Sequence, residues 1–297
     1  MALGVDGIRV GCWTDASGTT GTTVILPPAG TLGAAAVRGG APGTREIAAL
    51  SSIGSGTECH GIVLSGGSAF GLATADGVMS WCEAAGIGVD MGAVRVPVVG
   101  AAIVFDVRNR DVARPGREAG HAACEAATTD DPPEGLVGVG AGCTFGKTAG
   151  FAWAAPGGQG WAVRRGGGVT VGALMAVNPL GEVVGADGQA LVAGRPPDDA
   201  PRYPMSMPAF RAGSSEHTVI GCLVTDAAID KPAAARATDL AHSGIARAVV
   251  PAHTDFDGDA LFLLATGQVE ASVDLVAHLG ALAVAGAIRS AVRAANA

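Results

Sequence analysis

Short apolar runs recur along the chain at 22–26, 61–64, 98–105, 136–140, 169–177, 182–184, 218–225 and 260–265, and each predicts a β-strand. Apolar residues returning at helical spacing predict helices at about 68–85, 112–127, 231–249 and 272–294. The third has a clean start, with Asp230 as cap and Pro232 in its first turn. The first begins at Ser68 directly after Gly66 and Gly67, so its amide-rich end faces whatever lies over that turn. Helices sit early and late with strands between them. This order fits two stacked sheets between helical layers better than a repeated βαβ chain.

One stretch has no period at all. At about 186–217, Pro196, Pro197, Pro201, Pro204 and Pro208 fall among Gly, Ser, Asp and Arg, which reads as a surface loop or linker. It is too long for an ordinary connection. It either joins two domains or gives slack to a chain that cuts itself, whose upstream arm must move aside.

Composition narrows the class. Glycine is 47 of 297 residues and aromatics are 4%, while hydrophobic residues reach 48%, so small side chains build closely approaching layers. The length suits one large domain or two modest ones. Charged residues are only 15%, which points to surface hidden in a homo-oligomer, and a net charge of -8 gives no basic footprint for nucleic acid. Cys12, Cys59, Cys82, Cys124, Cys143 and Cys222 form no C-x-x-C pair, so neither zinc nor a disulfide framework is expected, and no motif calls for a cofactor. The first residues lack the basic and apolar regions of a signal peptide, and the helix at 272–294 carries Asp274, His278 and Arg289, against a membrane span. A soluble, cytoplasmic protein is expected.

The run 216–226 is the richest in chemistry. It begins abruptly at Thr218 after the proline-rich loop. A cut between His217 and Thr218 would place a free α-amine on the residue that carries a hydroxyl nucleophile. That amine titrates near ~8 against ~10.4 for a lysine, so it serves as general base at neutral pH. The other reading is an ordinary strand start.

Four further segments carry polar groups of interest. Lys147 is one of two lysines and follows a glycine-rich stretch; it orients or polarises a reacting group, or it is a loop lysine. Ala141 to Thr148 also nearly matches a phosphate-binding loop, but Ala149 to Gly158 cannot begin a helix, which disfavours nucleotide hydrolysis. Gly66, Gly67 and Ser68 make a strand-turn-helix corner whose amides and hydroxyl suit an oxyanion, or Ser68 merely caps the helix. Asp255, Asp257 and Asp259 crowd a turn, and the last two suit an ammonium group or form a solvated acidic loop. Asn178, before Pro179, suits an oxyanion or shapes the turn.

Together, Arg38 to Glu46, Gly66 to Leu72, and His253 to Asp259 resemble the DmpA-like self-processing aminopeptidases, a family that includes β-peptidyl aminopeptidases and 6-aminohexanoate (nylon) oligomer hydrolases. The likeness runs from about Gly7 to Gly267. It implies a four-layer α/β/β/α sandwich of N-terminal-nucleophile type, with family topology, and a single catalytic domain cut into 1–217 and 218–297. It also implies multimers of cleaved protomers. By the same resemblance Thr218 is the nucleophile, with Lys147, Asn178, Asp257 and Asp259 around it. His217 stands where the family has Asn or Gly, and Phe105 where some oligoamide hydrolases carry a tyrosine. The implied substrate is a short peptide or a linear oligoamide. The alternative is a small-molecule-binding or scaffold protein that kept the fold and lost processing.

Overall fold

The structure, a computed structural model, describes residues 1–108, 110–192, 196, 199–206 and 217–297. Ten strands build two five-stranded sheets. They are β1 (Arg9–Thr14), β2 (Gly21–Leu26), β3 (Leu32–Val37), β4 (Thr44–Arg45), β5 (Gly61–Ser65), β6 (Val99–Ile103), β7 (Gln159–Gly166), β8 (Val169–Asn178), β9 (Thr218–Ala228) and β10 (Ala260–Glu270). The first sheet runs β1-β2-β5-β6-β4 and the second β7-β8-β9-β10-β3. Within them β5–β6 and β9–β10 are parallel and the other neighbours antiparallel.

Alternation along single strands shows the layering. Val219 and Leu223 of β9 and Leu261 and Leu263 of β10 pack on one side with α3 (Lys231–Ala241) and the long C-terminal helix. Ile220, Cys222, Val224, Phe262 and Leu264 point the other way, against Ile25, Ile62 and Leu64 of the first sheet. The outer face of the first sheet, with Val24, Val63 and Val99, is covered by α1 (Thr74–Ala84) and α2 (Arg117–Glu125). The result is the expected α/β/β/α sandwich. Because both faces of the central strands are covered, they read as unbroken apolar runs rather than alternating ones.

The helices are held at their ends and by close contact. Asp230 caps α3, its carboxylate accepting the Ala233 N–H at 2.8 Å, as the sequence predicts. A short turn, α4 (Ser243–Ala246), follows. α5 (Val273–Ala295) is capped by Ser272 and is long and apolar enough to cross a membrane, yet here it is a core helix against the second sheet. α1 and α2 cross closely because a Cβ on Gly77 would lie 1.9 Å from the Arg117 carbonyl, and one on Gly120 2.0 Å from that of Thr74.

Some expectations change. Residues 136–140 form no strand; Gly138 takes φ 54° and a single 3-10 turn spans Gly138–Gly140, with Thr14 and Thr23 hydroxyls accepting the Gly138 and Val139 amides. α2 starts at Arg117, after Pro115, rather than at 112. Lys231, at the start of a helix that reads as polar, is buried, and its ammonium donates to the Ala49 carbonyl at 2.8 Å and to that of Gly56.

Candidate active site

Antiparallel pairing of β8 and β9 sets Asn178 opposite Thr218, and parallel pairing of β9 with β10 lays the loop before β10 beside His217. These two pairings assemble the site. The Thr218 hydroxyl lies against the carbonyl oxygen of His217, the residue before it. The Gly258 N–H donates to that same oxygen at 2.9 Å. Gly258 was not singled out from sequence, because a backbone donor leaves no side-chain signature. Its one trace is the glycine between Asp257 and Asp259, and a Cβ there would lie 2.9 Å from the Thr218 hydroxyl.

Lys147 is buried and donates to both oxygens of Asn178, backbone and side chain, at 3.1 Å each. The Asn178 amide nitrogen donates to the Phe105 carbonyl at 3.1 Å, and its oxygen accepts the Thr144 N–H at 2.9 Å. The lysine therefore fixes the amide directly across from Thr218. Its ammonium also lies 5.7 Å from the ring centre of Phe151, which is 6.0 Å from the His217 ring. Burial first, and Lys147 second, push the His217 imidazole down to about 3, so it is neutral.

The two carboxylates are buried on the far side. Asp259 accepts the Val219 N–H at 2.6 Å with one oxygen and both the N–H and Nδ1 of His253 with the other, at 3.1 and 2.7 Å. Asp257 accepts from Leu180 N–H at 3.2 Å and from the Thr254 N–H and hydroxyl at 3.1 and 2.6 Å. Burial and the neighbouring Asp259 charge raise Asp257 to about 6. Burial opposes a charged His253, but Asp259 outweighs it and holds that imidazole above its ordinary value. His253 adopts φ 55° to make these bonds. It is a second participant that sequence reading did not separate from its loop.

Thr218, Lys147, Asn178, Asp257 and Asp259 thus converge, joined by the Phe105 backbone, while the Phe105 side chain lines the adjoining cavity. Gly66, Gly67 and Ser68 offer no free amide. Their N–H groups already donate to Gly21 O at 2.8 Å, Asp106 Oδ1 at 2.7 Å and Val104 O at 3.0 Å. The Ser68 side chain makes no helix cap either. The phosphate-loop alternative fails on structure, since only a single 3-10 turn at Phe151–Trp153, and no α-helix, follows Thr148 before β7, and Lys147 faces Asn178. Ser214 and Ser215, like nearly half of the 186–217 linker, lie outside the described residues. Of that linker, Tyr203 docks through its N–H on the Thr148 carbonyl at 3.0 Å and its ring edge-on to Phe256 at 5.4 Å.

Known proteins with this architecture agree. A β-aminopeptidase of Burkholderia sp. superposes with a TM-score of 0.73 at 22% identity, covering 98% of this chain and 86% of that one. The L-aminopeptidase D-Ala-esterase/amidase of Ochrobactrum anthropi, a variant of the Ntn hydrolase fold, gives 0.74 at 20%, covering 99% and 85%. In sequence, an uncharacterised aminopeptidase of Mycobacterium bovis is 41% identical over 89% of this chain and 81% of its own. A 6-aminohexanoate-oligomer endohydrolase of Kocuria sp. is 31% identical over 89% and 74%. The model of peptidase family S58 matches residues 3–297, and the chain belongs to that family.

Proposed function

We propose that this hydrolase cuts itself between His217 and Thr218, and that the new N-terminal threonine then cleaves amide bonds in short peptides or in linear oligoamides such as 6-aminohexanoate oligomers. Membership of peptidase family S58, and relatives named as aminopeptidases and an oligoamide endohydrolase, support amide hydrolysis. The observation that carries self-processing is the pair of groups on one oxygen: the Thr218 hydroxyl and the Gly258 N–H both meet the His217 carbonyl.

In the first reaction Thr218 Oγ1 attacks the His217 carbonyl carbon while Gly258 N–H stabilises the developing oxyanion. The C–N bond breaks, the Thr218 nitrogen takes the hydroxyl proton, and an ester remains. Water hydrolyses the ester, giving a His217 carboxylate and restoring the hydroxyl. In the second reaction the free Thr218 amine accepts the hydroxyl proton as the same oxygen attacks a substrate amide; the substrate C–N bond breaks as that proton passes to the departing amine, and water hydrolyses the remaining ester to release the acid and restore the hydroxyl. Lys147 steadies Asn178 opposite the nucleophile, and the Asp257 and Asp259 carboxylates supply negative charge for the new ammonium group.

The homo-oligomer expected from composition has support in an exposed apolar hairpin bearing Val89, Met91, Val94 and Val96. Gel electrophoresis and intact mass of purified protein test the processing. Fragments 1–217 and 218–297 are expected, and Thr218→Ala should give one uncut chain without amidase activity. Full activity in material that remains one continuous chain would refute the reading.

A further inference from the structure

A cavity of about 240 Å3 opens beside Lys147, lined by Phe105, Val107, Arg108, Thr144, Lys147 and Phe151. A second, of about 310 Å3, shares Arg108 and Thr144 with the first, so the two adjoin at the guanidinium. Among the described residues the first wall holds two cations, three apolar side chains and no acid. Asp106, the one acid among the described residues of the second wall, is only 2% exposed and accepts the Gly67 N–H with Oδ1; burial raises its pKa, which weakens it as a counter-charge.

Among the described residues Arg108 is pinned from one side only. Its Nη2 donates to the Gly142 carbonyl and the Thr144 hydroxyl, both at 3.2 Å. Among the described residues no carboxylate pairs with it. Thr144 in turn bonds Asn178, so the guanidinium stands two hydrogen bonds from the amide opposite Thr218. Like charges facing a cleft with apolar walls focus a positive potential, which repels an ammonium and attracts an anion. A planar guanidinium fork matches a carboxylate in two-point geometry.

We propose that Arg108 anchors a carboxylate-binding subsite, so that preferred amide substrates carry a carboxylate close to the cleaved bond and no free ammonium in this cavity. The proposal deepens the hydrolase reading above and rests on it for the word substrate, but the subsite itself is testable without turnover.

The experiment is calorimetric titration of the protein as purified with hexanoate, hexanamide and hexylammonium, three probes of equal chain length. Hexanoate should bind about tenfold or more tightly than either other probe, the scale of a charge-assisted hydrogen bond. Arg108→Met should abolish that preference and Arg108→Lys keep part of it. Arg108 is exposed, and an unchanged melting temperature verifies that both variants fold. Absence of hexanoate binding at millimolar concentration, hexylammonium binding as tightly, or a preference that survives Arg108→Met would each overturn the subsite. An uncut or inactive protein that still shows the Arg108-dependent preference would refute the hydrolase reading and leave the subsite standing.

Discussion

The Gly258 N–H donates to the His217 carbonyl oxygen at 2.9 Å, so the peptide bond upstream of Thr218 already has a donor where charge would develop. A parallel bridge between His217 and Asp257 sets this contact, and parallel strands β9 and β10 extend it. The donor is thus fixed by sheet register, not by a flexible side chain.

Gly258→Ala should therefore slow self-cleavage sharply. The added Cβ would meet the Ala41 carbonyl at 2.8 Å and the Thr218 hydroxyl at 2.9 Å, so the loop must shift and the donor moves off line. Misplacing one such donor costs roughly 100-fold in rate. The time course of the two fragments on a gel, from freshly made protein, measures it. Wild-type kinetics in this variant would remove Gly258 from the chemistry.

Lys147→Met tests the buried cation. A buried ammonium held by neutral oxygens is costly to desolvate, and its removal relieves that cost against the two hydrogen bonds to Asn178 lost with it. Here the Asn178 oxygen keeps its Thr144 donor after the loss. The expected outcome is a melting temperature within a few degrees of wild type, with processing and turnover reduced on the order of 100-fold. A large loss of stability with normal processing of the folded fraction would make the lysine structural.

His253 is expected to act through Asp259. Its Nδ1 contact at 2.7 Å fixes the carboxylate that accepts the Val219 N–H, one residue past the nucleophile. His253→Ala should lower the processing rate about tenfold, the scale of one hydrogen bond to a charged group. His253→Asn, which tolerates φ 55° and keeps a side-chain donor, should recover part of it. Equal rates in both variants would show that only the backbone matters.

How far the sequence foretold this arrangement depends on the kind of residue. β8, β9 and β10 are legible because β-branched and apolar residues fill both covered faces. β1, β3 and β7 escape notice because glycine, alanine and arginine interrupt their apolar runs: Gly11 and the flanking Arg9 break up Val10, Cys12 and Trp13, and Leu32-Gly33-Ala34-Ala35-Ala36-Val37 has strand geometry without a strand-like composition. Sheet partners supply what propensity does not. The same division holds at the site. Thr218, Lys147, Asn178 and the two aspartates carry side chains that announce chemistry, and tertiary pairing brings them together. The amides of Gly66, Gly67, Ser68 and Gly258 look alike in sequence. Only the fold decides that the first three are engaged internally while the fourth meets the His217 carbonyl.

The His217 imidazole gives the uncut chain a built-in sensitivity to acid. Burial and Lys147 hold its folded pKa at about 3, while the unfolded value is the ordinary one near ~6.5. The stabilisation from the neutral ring is complete above ~6.5 and is lost as pH falls towards about 3, because the unfolded chain takes up a proton that the folded chain refuses. At about pH 4.5 this amounts to about 2–3 kcal/mol. His242, lowered to about 4 by burial, adds a term of the same sign, and Asp257, raised to about 6, opposes both because its protonated form favours the folded state. A comparison within one background isolates the first term. In Thr218→Ala, which cannot cut, the melting temperature should fall between pH 7 and about pH 4.5, and the fall should be smaller in the double variant Thr218→Ala with His217→Leu. Since His242 and Asp257 are common to both proteins, their contributions cancel in the difference. Parallel melting curves across that range would mean that the His217 ring is charged or hydrated in the folded precursor, and the neutral, buried position beside Phe151 would have to be abandoned.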